Sequence, residues 1–228
     1  LVGRRVLGVW RRAKYLLFEI DGGLTLILHL GMSGSLRVLP AGTPRRLHDH
    51  LELVLDSGQV LRFNDPRRFG SLHCTREDPA RHPLLRRLAP EPLGPDFTAD
   101  YLWRVTRGRR VAIKSLLMNA GLVVGVGNIY ASEALFRAGI RPRRQARRLR
   151  RAEVARLVEA VRTVLAMAIE VGGTTLRDYV GADGSPGYFR QKLFVYERAG
   201  EPCRVCGSPV RHATLGQRST YWCAQCQH

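Results

Sequence analysis

The reading of the fold turns on residues Ala112–Pro142, AIKSLLMNAGLVVGVGNIYASEALFRAGIRP. Its apolar residues keep helical spacing over Ala112 to Met118, lose it across a glycine-interrupted turn, and regain it in a second helix opened by Asn128 and closed by Gly139. Gly125 and Gly127 carry no Cβ, so the backbone there can approach another molecule closely, and the helix that follows offers unpaired N–H groups to an anion. A helical hairpin inside a core accounts for the apolar residues equally well. It does not account for glycine, glycine and asparagine in that order, which suit a phosphate of DNA.

Working outward toward the C-terminus, the period stays helical. Val154, Leu157, Val158, Val161, Val164, Leu165 and Ile169 share one face of a helix from about Arg151 to Glu170, which ends before Gly172 and Gly173, and these residues are read as core. The preceding run RPRRQARRLRR (141–151) is either a solvated linker or a phosphate-facing surface, with solvation the default for each single arginine. Toward the N-terminus the period becomes that of strands. KYLLFEI and LTLILHL flank the turn DGG, LELVL and QVLRF flank DSG, and SLRVL and SLHC are further extended runs. These specify an antiparallel sandwich or barrel, and the Pro-rich passage LAPEPLGPDF (88–97) ends it, with a boundary near residue 95.

Four of the five cysteines lie near the C-terminus as two Cys-x-x-Cys pairs, Cys203 with Cys206 and Cys223 with Cys226. The spacing is that of a zinc ribbon, in which four thiolates close a tetrahedron; the competing reading, two disulfides, fits poorly in a chain with one further cysteine and no secreted scaffold. Four ligands leave no open position, so one structural Zn²⁺ is expected. Cys74, left over, reads as a small buried or idle thiol. The fold class is therefore α+β: an antiparallel β-sandwich over 1–95, a helical domain over 96–195 and the zinc ribbon over 196–228.

Lys plus Arg number 37 against 19 Asp plus Glu, a formal net charge of +18. A balance so basic points to a polyanion, and nucleic acid precedes a membrane surface because the sequence has no basic amphipathic anchor, transmembrane-length apolar run or signal peptide. A reducing, cytoplasmic compartment is expected. Only three basic residues are lysines, Lys14, Lys114 and Lys192. Arginine keeps its proton near neutral pH and lysine can release one, so each surviving lysine is a candidate for chemistry.

With these residues in view the chain resembles a bacterial formamidopyrimidine-DNA glycosylase of the helix-two-turn-helix superfamily. The matching segments are RRAKYLL, HLGMSGSLR, HDH, DPRRFG, APEPLGPDF, VVGVGNIYASEALFRAGIRP, GGTTLRDYV, DGSPGYF and the terminal ribbon, in family order and over essentially the whole chain. DGSPGYF with GEPCRVCG favours the purine-repair branch over its pyrimidine-directed sister, endonuclease VIII. The resemblance implies a base-excision repair enzyme that removes 8-oxoguanine or formamidopyrimidines and cleaves the abasic strand by β,δ-elimination, acting as a nucleoid-associated monomer on duplex DNA.

Residue by residue, the resemblance assigns Lys14 to elimination and phosphate contact. Met32, Arg67 and Phe69 match the triad that fills the gap left by a flipped nucleotide; core packing is the bland alternative for Met32 and Phe69. His48, Arg67, Arg109, Lys114 and Asn128 match DNA contacts. Gly181 to Phe189, with Tyr188, match the loop that closes over the extruded purine, and Arg218 in GQRSTYW matches the ribbon arginine that grips phosphates and takes part in the second elimination.

The family's nucleophile is an N-terminal proline followed by an acid–base glutamate, and this sequence opens instead on Leu1, shortly before RRAKYLL. The expectation is either an active enzyme represented without its first segment or a catalytically silent damage-binding paralogue. A zinc-ribbon module of transcription type is disfavoured because it leaves Met32, Arg67, Phe69 and the glycine turn unexplained.

Overall fold

The computed structural model describes residues 1–171 and 193–228. The first compact unit, residues 1–86, is built on two antiparallel sheets. Strands β1 (Val6–Arg12), β2 (Tyr15–Ile20), β3 (Leu24–His29) and β7 (Ser71–Thr75) form one, in the order β1-β2-β3-β7. The other sheet contains β4 (Ser35–Pro40), β5 (Asp49–Val54) and β6 (Gln59–Asn64), ordered β4-β6-β5. Alternation along the strands sends Phe18, Ile20, Leu26 and Leu28 from the first sheet against Leu36, Leu53 and Leu61 from the second, which makes the pair a sandwich. Burying each such side chain favours the fold by about 1.5–3 kcal/mol.

The hairpins follow the turn chemistry of the sequence. Gly22 and Gly23 both sit at positive φ, 73° and 71°, where a side chain would be strained, and close the turn between β2 and β3. Strand β1 has no counterpart in the sequence reading. Its apolar residues do not alternate between a wet and a dry face: Val6, Leu7, Val9 and Trp10 are all exposed on this edge strand, so a pattern of burial could not reveal it.

The second unit comprises residues 87–170 and the described residues 193–228. It holds helices α1 (Ala99–Thr106), α2 (Ile113–Leu117), α3 (Asn128–Arg137) and α4 (Arg151–Glu170), and the hairpin β8 (Val210–Leu215) with β9 (Arg218–Cys223). Thr98 caps α1 by accepting the Tyr101 N–H, and Gly139 at φ 70° stops α3. Helix α4 packs against α3 and α1 through Val154, Leu157, Val158, Val161 and Val164. Leu165 is only half-buried and Ile169 is 65% exposed. The expected stripe is therefore too wide at its end, because Ile169 lies at the stripe's edge in the last turn and Ala168 takes the buried place.

The hairpin shares its core with the helices: Phe136 of α3 packs with Val195, Val210, Cys203 and Cys223. Gln227, fully buried, accepts the Cys223 N–H and donates to the Ile140 carbonyl at 2.8 Å. Arg141 donates to the Gln227 carbonyl at 2.8 Å, and Arg144 forms a forked pair with Glu153 at 2.6 and 2.9 Å. Solvation as the default for the 141–151 run holds for Arg141, which is exposed while it donates to carbonyls, and gives way at Arg144, half-buried on its carboxylate partner. Cys74, expected as buried or idle, is exposed on β7. Among the described residues no helix is long and apolar enough to cross a membrane. The loop 181–189 with Tyr188, and Lys192, lie outside the described residues.

Candidate nucleic-acid interface

In the first unit, the turn between β1 and β2 presents Lys14. Ala13 adopts φ 54° there, and its carbonyl accepts from Arg11 at 2.7 Å, leaving Lys14 exposed beside Tyr15. Across the register from Tyr15 stands His29, whose ring lies 4.9 Å from the Tyr15 ring and whose Nδ1 accepts the Gly31 N–H at 2.9 Å. Burial, and then the positive charge of Lys14, hold the imidazole below its ordinary pKa, so it stays neutral next to the lysine. The sequence reading quoted His29 within a motif but gave it no role; its signal was the place opposite the lysine-bearing turn, visible only once the register of β2 and β3 is fixed.

Met32 and Phe69 are not core residues: they are 63% and 57% exposed. Each stands on a turn whose backbone is pressed against the other. Gly31, at φ 70°, leaves so little room that a Cβ there would lie 2.6 Å from the Gly70 nitrogen and the Phe69 carbonyl carbon. Arg67 places its guanidinium 5.1 Å from the Phe69 ring centroid, over its π face. His48 is half-buried at φ 72°, in the left-handed region, and its carbonyl accepts the Asp65 N–H at 3.0 Å. The loop that carries it is clasped by Arg62, which donates to the carbonyls of Pro44 and Thr43 at 2.9 and 2.6 Å and pairs with Glu52.

In the second unit, Asn128 opens α3, and no side chain caps that helix among the described residues. Its Nδ2 donates to the Ser219 carbonyl at 3.0 Å and to the Tyr196 hydroxyl at 3.2 Å, while its Oδ1 is buried with no hydrogen-bond partner among the described residues. Gly125 at φ 76° has open space where a Cβ would stand, so backbone conformation alone demands glycine. Arg218 begins β9 after a two-residue turn in which Gly216 and Gln217 both have positive φ, 55° and 59°. That turn type matches the strand twist and fixes Arg218, exposed, at the hairpin tip. Arg109 is exposed after α1, its Nε turned back to the Val105 carbonyl at 2.8 Å.

Lys114 differs from the expectation. Its side chain is 1% exposed, and Nζ donates to the Ser219 carbonyl and the Thr220 hydroxyl, both at 2.7 Å. In the protein alone this buried amine is committed to the ribbon and ties α2 to β9. Burial, and secondarily the charge of Arg218, lower its pKa to about 8. Glu133, which the sequence reading passed over, is also buried. Its two oxygens accept the backbone N–H groups of Phe194, Val195 and Tyr196 at 2.8, 3.0 and 2.9 Å. The only signal in sequence was an acid set within the apolar stretch of α3.

The four ribbon sulfurs lie within 4.8 Å of one another, with Cys203–Cys226 at 3.9 Å and Cys206–Cys223 at 3.5 Å. These are free thiols, and a disulfide needs about 2.05 Å. Sulfurs held about 2.3 Å from a tetrahedral Zn²⁺ stand about 3.8 Å apart, between the two observed separations. Ser208 donors draw Cys206 down to about 6, whereas burial and the neighbouring thiols push Cys226 up. A cation in their midst would draw the protons from all four thiols, and the donor set fits Zn²⁺.

Comparison with known proteins follows this division. Residues 1–72 match the formamidopyrimidine-DNA glycosylase N-terminal domain, 88–180 the formamidopyrimidine-DNA glycosylase H2TH domain, and 200–228 the zinc finger found in FPG and IleRS. The formamidopyrimidine-DNA glycosylase of Thioalkalivibrio sulfidiphilus is 61% identical over 227 residues, 100% of this chain and 83% of that protein. The protein of the same name from Xanthomonas campestris pv. campestris is 57% identical over the same shares. Among solved structures, the MutM (Fpg) protein of Thermus thermophilus superposes with TM-score 0.90 at 45% identity, over 99% of this chain and 84% of that one. The Lactococcus lactis Fpg complex with abasic-site DNA gives TM-score 0.92 at 33% identity, over 99% and 83%.

Proposed function

The chain belongs to the formamidopyrimidine-DNA glycosylase family, and from that premise we propose that it serves base-excision repair, gripping duplex DNA at an oxidised purine or an abasic site. The observation that carries this reading is the pair Met32 and Phe69, two large apolar side chains held in water on abutting turns. Such a pair contributes nothing to the free protein's core. A duplex with one nucleotide extruded has an unstacked gap of matching chemistry, which a flexible thioether and an aromatic ring fill. Arg67 beside Phe69 brings forked donors for the base left without a partner.

In this reading Lys14, His48, Arg109, Asn128 and Arg218 take phosphates, and Tyr188 belongs to the segment that covers the extruded base. Base removal breaks the N-glycosidic bond at C1′ as the amine nucleophile that the resemblance implies bonds to that carbon, its proton ending on the departing base. Strand cleavage then removes a proton from C2′ and expels the 3′ phosphate, and a second elimination expels the 5′ phosphate. Lys14 assists the elimination, and Arg218 holds the phosphates in place and takes part in its second step. His29, neutral beside Lys14 and with Nδ1 already accepting from Gly31, adds an Nε2–H donor without a second positive charge. One zinc ion held by Cys203, Cys206, Cys223 and Cys226 stiffens the hairpin that presents Arg218 and leaves no position open for chemistry. The protein acts as a cytoplasmic monomer.

The test measures binding to duplexes carrying 8-oxoguanine, an abasic site or no lesion, together with strand cleavage and borohydride trapping. Tighter binding of the two damaged duplexes supports the reading. Equal affinity for all three, at several salt concentrations, defeats it.

A further inference from the structure

Asp65 is 1% exposed, lies between β6 and the turn that carries Arg67 and Phe69, and makes no ion pair among the described residues. A carboxylate is costly to bury, so its partners define what it is for. Its Oδ2 accepts the Gly70 N–H at 2.7 Å, closing the 65–70 turn behind Phe69. Its Oδ1 faces the Ser33 hydroxyl at 3.4 Å, on the turn that carries Met32. Its backbone N–H donates to the His48 carbonyl at 3.0 Å, and its own carbonyl accepts from His50 Nε2 at 3.0 Å and from the Arg68 N–H at 3.3 Å. One residue thereby touches three segments distant in sequence, those bearing Met32, His48, and Arg67 with Phe69.

The surrounding backbone leaves these segments little freedom. A Cβ at Gly70 would meet the Phe63 ring at 2.5 Å and Asp65 Oδ2 at 3.0 Å, and Gly31 is equally close to Gly70. His48 and Arg68 both hold positive φ, 72° and 55°, conformations that side-chain-bearing residues keep only when their neighbours dictate them.

We propose that Asp65 is a positioning residue: its buried carboxylate and its backbone lock the Met32 turn, the His48 loop and the Arg67–Phe69 turn into one body that is already set before DNA arrives. This rests on the reading of Met32 and Phe69 as the groups that fill the gap in damaged DNA. It goes beyond that reading by assigning their geometry to a residue that touches no DNA. A wedge whose backbone is ordered in advance loses less conformational entropy on insertion, so the lock favours damaged over undamaged duplex and leaves phosphate contacts unchanged.

The test compares wild type, Asp65→Asn, Asp65→Ala and Phe69→Ala in binding to abasic-site and undamaged duplexes, alongside their melting temperatures. Asp65→Asn keeps an oxygen for the Gly70 N–H and an amide for the Ser33 hydroxyl, and should retain the wild-type preference within about threefold. Asp65→Ala should lose about tenfold of the preference with an unchanged salt slope, and the double variant with Phe69→Ala should lose no more than Phe69→Ala alone. A lower melting temperature with the preference intact would overturn the proposal, because Asp65 would then be merely structural. Loss of preference in Asp65→Ala but not in Phe69→Ala would defeat the gap-filling reading itself. Should Asp65→Ala fail to fold, amide exchange in wild type decides: the Gly70 N–H must be protected equally with and without abasic-site DNA. Protection that appears only on binding overturns the proposal.

Discussion

Lys114 Nζ donates to the Ser219 carbonyl at 2.7 Å, and the same oxygen accepts Asn128 Nδ2 at 3.0 Å. Two donors from the helical hairpin thus converge on one main-chain acceptor of the ribbon, next in sequence to Arg218. Ribbon and helical hairpin are thereby joined at one oxygen, and the lysine's contribution is to hold that junction together.

That placement has a pH signature. The folded-state pKa of Lys114, about 8, lies below the ordinary 10.5. Between these values the unfolded chain binds a proton that the folded chain does not, so stability rises with pH through this window and the stabilisation is lost as pH falls through 8. Relative to Lys114→Met, zinc-loaded wild type should gain about 2 kcal/mol between about pH 7.5 and 9.5, read by urea unfolding. Parallel curves for the two proteins would show that the amine is not desolvated.

Glu133→Gln removes a charge and leaves one side-chain oxygen to serve three backbone N–H groups. The loss should be about 1–3 kcal/mol in chemical denaturation, without change in the number of zinc ions bound.

Metal analysis should return one zinc per chain. Chelation or Cys223→Ser should unfold the hairpin, because Cys223 is buried in the core that Phe136 shares with the ribbon, and DNA affinity should fall with it. A hairpin that keeps its near-ultraviolet signal without metal would contradict a structural role.

Arg218→Ala should weaken binding to abasic-site and undamaged duplexes by similar factors and reduce the salt slope by about one contact, since a phosphate is present in both. A loss confined to damaged DNA would place Arg218 at the base and not at the backbone.

What the sequence disclosed was local. Cys203-x-x-Cys206 and Cys223-x-x-Cys226, the turn Gly22–Gly23, and the helix from Asn128 to Gly139 carry their reasons within a few residues, and spacing and conformation suffice to read them. Lys114, Glu133 and Asp65 could not be read that way. Lys114 meets Ser219 across 105 residues and Glu133 meets Phe194 across 61, so only the tertiary arrangement tells a buried tether from a surface charge. Strand β1 escaped for the opposite reason, having exposed apolar residues and therefore no burial pattern.

The central claim is that Met32 and Phe69 stand in water because their partner is the gap in damaged DNA. The direct measurement is the ratio of dissociation constants for undamaged and abasic-site duplex, in wild type and in Phe69→Ala, at one salt concentration. Wild type should prefer the abasic duplex, and Phe69→Ala should lose about tenfold of that ratio, corresponding to about 1.4 kcal/mol, with affinity for undamaged duplex unchanged. Equal weakening on both duplexes, or none on either, would contradict the claim.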